Sequence, residues 1–201
     1  MRIPEKYIKE IVGPSCNFDE KIVNAFLHCP RNKFVDDALQ RVAFEDNALP
    51  IGFGQTISKP STVAYMTYML KLTENDKVLE IGTGSGFQCG IISFIASFIY
   101  TVERIPQLSY KASLTLKKLH RKNIKFKVDN GEFGWREYAP FDKIIVTASS
   151  DEIPSTILEQ LAIGGRMIIP LKDKIKIVDK TLDGIKISDG ESCKFVEFIK
   201  G

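Results

Sequence analysis

Three short stretches of this chain combine residue types and spacings suited to chemistry. Glu80-Ile-Gly-Thr-Gly-Ser-Gly-Phe87 leaves an apolar run through glycines at 82, 84 and 86. Glycine lets the backbone bend tightly and lets a ligand come close to it. In a strand–turn–helix unit, such a turn sits at the ligand-binding edge of a parallel sheet. The dinucleotide fingerprint G-x-G-x-x-G needs a third glycine at position 87, which is Phe here. The observed G-x-G-x-G spacing makes a tighter loop with no pyrophosphate to cradle. Glu103 lies 17 residues beyond Gly86 and follows the strand-like run Phe98-Ile-Tyr-Thr-Val102. A carboxylate there can accept hydrogen bonds from both hydroxyls of a ribose. The third stretch, Leu49-Pro-Ile-Gly-Phe-Gly-Gln-Thr-Ile-Ser58, carries no charge, two glycines and three hydrogen-bonding side chains, Gln55, Thr56 and Ser58. It has neither a helical period nor a strand alternation, so a glycine-bent loop is expected. Neutral donors of this kind can orient an anion without neutralising it.

The glycine loop resembles the first motif of the S-adenosylmethionine-dependent methyltransferases. The resemblance implies cofactor contacts from Gly82, Thr83, Gly84, Ser85 and Gly86, with Glu103 and Arg104 on the ribose side. Methyltransferases often carry an acid after the third strand for the adenine amino group. Here that place is Asp129-Asn130-Gly131, so the contact would fall to the Asn130 amide oxygen, with Gly131 beside it. Common acceptor chemistries leave marks that this chain lacks. Thr147-Ala-Ser-Ser150 stands where amino-methyltransferases often have a Pro-Pro-aromatic motif, no cysteine follows a proline, and no cluster with metal-ligand spacing is visible. A carboxylate acceptor needs none of these, because with a reference pKa near ~4 it is already an anion at neutral pH. Gln55-Thr-Ile-Ser58 suits such an acceptor.

Val42-Ala-Phe-Glu-Asp-Asn-Ala-Leu-Pro-Ile-Gly-Phe-Gly-Gln-Thr-Ile-Ser58 closely resembles the substrate-side signature of the protein-L-isoaspartate (D-aspartate) O-methyltransferases. Val78–Gly86, Val102-Glu-Arg-Ile105, Gly134-Trp135 with Ala139-Pro-Phe-Asp142, and Gln160-Leu161 with Gly164-Gly-Arg166 resemble the same family, in order. The resemblance implies methyl transfer from S-adenosyl-L-methionine to the carboxylate of L-isoaspartyl or D-aspartyl residues in damaged proteins and peptides, leaving S-adenosyl-L-homocysteine. It makes Ser58 the catalytic residue. It also draws Gln55, Thr56 and Ile57 into the closure over the cofactor. The other readings are a methyltransferase on a small acid or RNA, and a cofactor-binding protein without turnover.

These residues need elements to hold them. The stripe Ile22, Val23, Phe26, Leu27 predicts a helix capped by Asp19 and stopped near Pro30. A second helix is expected after Pro60. Strands are expected at 77–81, 98–102, 124–128, 143–147 and 166–170, those at 77–81 and 143–147 buried and that at 124–128 alternating, with helices over about 87–97, 106–122 and 154–162 between them. Strands and helices alternating at this pitch predict an α/β, Rossmann-like methyltransferase fold: a mostly parallel twisted sheet with helices on both faces. Short antiparallel strands are expected over about 175–199, turning at Asp183-Gly184 and Asp189-Gly190.

At 201 residues the chain is read as one domain: 1–75 a helical and substrate-loop extension, 76–172 the cofactor core, 173–201 the terminal strands. A net charge of +3 is too small for a dedicated nucleic-acid binder. The four cysteines are far apart and read as reduced, packed thiols. No apolar run reads as a signal peptide or spans a bilayer. A cytoplasmic monomer, with no metal, stable nucleic acid or membrane partner, is expected.

Overall fold

The computed structural model describes residues 3–198. Its centre is a seven-stranded sheet in the order β5-β4-β3-β6-β7-β8-β9. The first five are Ile124–Val128 (β5), Phe98–Glu103 (β4), Lys77–Ile81 (β3), Phe141–Val146 (β6) and Leu161–Leu171 (β7). These pair in parallel, while Lys174–Thr181 (β8) and Gly184–Ser192 (β9) add antiparallel. The order reverses beside β3, and a crevice opens where chains leave the sheet on either side of such a reversal.

Alternation along the strands sorts side chains to two faces. Ile145 joins the larger apolar cluster, under the helices Glu20–His28 (α2), Pro60–Leu70 (α3), Phe87–Ile92 (α4) and Pro106–Lys118 (α5). Ile144 and Val146 join the opposite cluster with Leu79, Phe141 and Trp135. Before α2 the chain winds through a π-helical stretch, Tyr7–Val12, into Gly13–Ser15 (α1). The Asp19 carboxylate accepts from Ile22 N at 3.1 Å, the expected cap, a contact of roughly 1 kcal/mol.

Four local expectations change. Leu49–Gly52 (β1) and Gln55–Ile57 (β2) form an antiparallel hairpin rather than an irregular loop. Leu49, Ile51 and Ile57 are buried while Pro50 and Thr56 face out, an alternation cut short by the turn at Phe53-Gly54. The helix begun at Phe87 ends at Ile92. There Arg121 and Asn123 take the Ser93 carbonyl at 2.6 and 3.0 Å. The helix near Pro154 is only Ser155–Leu158 (α6), because the chain enters β7 at Leu161 and passes Gly164, at φ +82°, without leaving it. Asp183-Gly184 does turn the chain between β8 and β9, but Asp189-Gly190 lies inside β9, where the register with β8 shifts.

Candidate active site

The turn after β3 is pinned from both neighbouring strands. Gly82 N donates to Val102 O at 2.9 Å, and the Thr147 hydroxyl, just past β6, donates to Gly82 O at 2.6 Å. Gly82 has φ +93°, and a Cβ there would lie 2.4 Å from that hydroxyl, so the position requires glycine twice over. Glu103 is 6% exposed. Its Oε2 accepts from Gly84 N at 2.8 Å and its Oε1 from Ile105 N at 2.9 Å. Each oxygen spends one acceptor site on backbone and keeps another for the cavity it lines.

Glu80, on β3, is fully buried. The Thr101 hydroxyl donates to its Oε2 at 2.5 Å and shares a 2.6 Å hydrogen bond with Thr83 of the glycine turn. Burial pushes the Glu80 pKa up to about 8, against the lowering pull of the Thr101 hydrogen bond. Glu80 therefore holds its proton at neutral pH.

Ser58 follows the hairpin and is half-buried, its hydroxyl without a hydrogen-bond partner among the described residues. Its backbone is fixed by Arg31, which is fully buried. The guanidinium donates to the carbonyls of Ala43 at 2.7 Å, Asn47 at 2.8 Å and Ser58 at 2.9 Å, with a longer contact to Ile57 at 3.5 Å. Burial lowers its pKa to about 10, so it stays charged at neutral pH. Asp46 accepts from Ser61 N at 2.9 Å and from the Ser61 hydroxyl at 2.8 Å, which satisfies the start of α3.

Two cavities meet at this point. One runs over the glycine turn to Glu103, and the other opens beside α3 and the C-terminal segment. They share Thr56, Ser58, Thr147, Phe195 and Val196. The first cavity gathers Gln55, Thr56, Ile57, Ser58, Gly82, Thr83, Gly84, Ser85, Glu103, Arg104 and Gly131.

Two expected cofactor residues stand elsewhere. Gly86, at φ +86°, faces α5, where a Cβ would come within 2.9 Å of the Ala112 Cβ; it sets the spacing between helices. The Asn130 amide oxygen accepts from Glu132 N at 3.0 Å and caps the 3-10 turn Gly131–Phe133. Sequence reasoning missed Arg31, Thr147 and the wall at Phe195–Phe198. The wall is hung on Ser149, whose N donates to Val196 O at 2.8 Å and whose O accepts from Phe198 N at 2.7 Å. No periodic pattern marks either contact.

A nucleoside carrying a sulfonium fits the first cavity. It offers a buried carboxylate for ribose hydroxyls and apolar walls at Met66, Ile81 and Phe87.

The family model described as Protein-L-isoaspartate(D-aspartate) O-methyltransferase (PCMT) matches residues 4–201. The protein-L-isoaspartate O-methyltransferase of Geobacter metallireducens is 44% identical over 186 residues, covering 90% of this chain and 86% of its own. That of Desulfotalea psychrophila is 45% identical over 199 residues, covering 97% of this chain and 93% of its own. A solved protein-L-isoaspartate O-methyltransferase superposes with a TM-score of 0.88 at 26% identity, over 100% of this chain and 66% of that longer one. A Plasmodium falciparum structure, a putative enzyme of the same description in complex with S-adenosyl-L-homocysteine, shares the fold: TM-score 0.85, 21% identity, 98% of each chain covered.

Proposed function

The chain belongs to the protein-L-isoaspartate(D-aspartate) O-methyltransferase family, and from that premise we infer how its own residues carry out the reaction. The enzyme transfers a methyl group from S-adenosyl-L-methionine to the carboxylate of L-isoaspartyl residues, and of D-aspartyl residues, in damaged proteins. The methyl ester then collapses to a succinimide, which reopens partly as normal aspartate.

The cofactor supplies a methyl group on a positively charged sulfur. Everything else falls to the chain. Glu103, braced by Gly84 N and Ile105 N, takes the ribose hydroxyls. The Gly82–Ser85 turn brings backbone close to the bound molecule, and Gly131 closes the adenine side. The acceptor carboxylate enters from the second cavity and is held at the common wall by the Ser58 hydroxyl, with Thr56 and Thr147 beside it. It arrives already ionised, so no base is needed, and no histidine lines either cavity. Alignment and partial removal of water then lower the barrier, with Phe195 and Val196 as the screen. Ser58 acts here as a hydrogen-bonding cradle; a serine nucleophile would need an adjacent base. The observation that carries this reading is the meeting of the two cavities at Ser58. The chain is taken to work as one domain, a cytoplasmic monomer without nucleic acid; a light-scattering mass equal to that of one chain is the expected result.

The test uses S-adenosyl-L-methionine labelled in its methyl group and a pair of peptides that differ only in an isoaspartyl or aspartyl linkage. Base-labile label on the isoaspartyl peptide alone is expected. Cofactor binding without transfer to either peptide would overturn the assignment.

A further inference from the structure

The second cavity carries charge that the transfer step does not use. Lys59 and Lys194 line it together with Asp173, and none of the three reaches the cofactor cavity. The carboxylate that receives the methyl must lie at the wall the cavities share. Lys59 and Lys194 line only the outer cavity, where neighbouring residues of a bound peptide would run.

Lys59 is available for a ligand. Its nearest anion is Asp46, at 4.0 Å, the limit of an ion pair. Both Asp46 oxygens already serve Ser61 N and the Ser61 hydroxyl. The Lys59 side chain is 50% exposed at the cavity. Lys194 has no ion-pair or hydrogen-bond partner among the described residues. Among the residues that line the outer cavity, two cations stand against one carboxylate, Asp173, with Asp46 behind Lys59.

We propose that Lys59 and Lys194 form an acidic-residue subsite, so that the enzyme prefers isoaspartyl residues flanked by aspartate or glutamate. This rests on the methyltransferase reading of the same site. The ligand is the side-chain carboxylate of a residue next to the isoaspartyl linkage, a group distinct from the one methylated. Exposed pairs of this kind are weak and are screened by salt. Each cation is therefore worth a few-fold in kcat/KM at low ionic strength and little at high.

The experiment measures kcat/KM on isoaspartyl peptides, acetylated and amidated so that no terminal charge remains, with glutamate, glutamine or lysine on each side of the linkage in turn. The intact enzyme should favour the glutamate peptide over the lysine peptide by about three- to tenfold at low salt, and the ratio should approach one in molar salt. Lys59→Glu should reverse the order and Asp173→Asn should widen it. The neutral peptide, read for each variant, separates lost activity from altered preference. Equal values for the three peptides, or an order that Lys59→Glu leaves intact, would overturn the subsite while leaving the methyltransferase assignment standing. Failure of every isoaspartyl peptide to accept label would instead strike the underlying reading.

Discussion

Ser58 and Glu103 divide the work so that their variants should fail in different ways. On the proposed reading the Ser58 hydroxyl serves the acceptor rather than the cofactor. Ser58→Ala should lower turnover on an isoaspartyl peptide by roughly tenfold or more, the scale of losing one oriented donor. The dissociation constant for S-adenosyl-L-homocysteine, read by calorimetry, should move much less. Unchanged turnover would remove Ser58 from the mechanism. Glu103 offers charged acceptors to two hydroxyls, and hydrogen bonds to charged groups contribute about 1.5–3 kcal/mol each. Glu103→Ala should thus weaken S-adenosyl-L-homocysteine by roughly a hundredfold or more, and equal affinity would mean another residue holds the ribose. Both residues were legible in the sequence, because each sits at a fixed offset from a local signal: a glycine turn, a strand end, an uncharged run. Asn130 shows where that logic stops. Its position beside Gly131 is the expected one, but its amide oxygen serves Glu132 N, and a string of letters does not say which donor an amide will meet.

At the scale of elements, the acceptor hairpin is held from outside itself. Arg31 reaches across to carbonyls 12 to 27 residues away, and such contacts leave no period or motif. That is why the strands of the central sheet could be read from the chain while the brace behind Ser58 could not. Arg31→Met would leave the buried carbonyl of Ala43 and the part-buried carbonyls of Asn47 and Ser58 without this donor. A loss of about 3 kcal/mol or more is expected, visible as a lower urea midpoint. Arg31→Lys keeps the charge but not the fork that meets several carbonyls at once. It should fold, and should raise KM for the peptide more than it changes cofactor affinity. If peptide KM is unmoved in the lysine variant, Arg31 stabilises the fold without setting the acceptor loop. The hairpin itself was hidden for another reason. Three inward side chains, Leu49, Ile51 and Ile57, are too few to establish alternation across a two-residue turn.

For the molecule as a whole, the buried acid on the central strand links stability to pH. Below the ordinary carboxylate range, near 4.5, Glu80 is protonated whether the chain is folded or not. Between that value and about 8 the unfolded chain releases the proton while the folded one keeps it. Stability contributed by this group therefore falls as pH rises through the window and levels off above it. Glu80→Gln should flatten that decline in thermal melts recorded from pH 5 to 8, and a variant with the same slope as the parent would show that other groups set it. A further consequence concerns the chain's own durability. Asparagine followed by glycine is the step most prone to deamidation, since an unhindered glycine nitrogen can attack the side-chain carbonyl and close a five-membered ring. Asn130-Gly131 is such a step, with Gly131 in the wall of the cofactor cavity, and the hydrogen bond from Glu132 N ties the Asn130 amide oxygen into a cap. The chain thus carries, beside its own cofactor site, a step of the kind whose damage product its family repairs in other proteins.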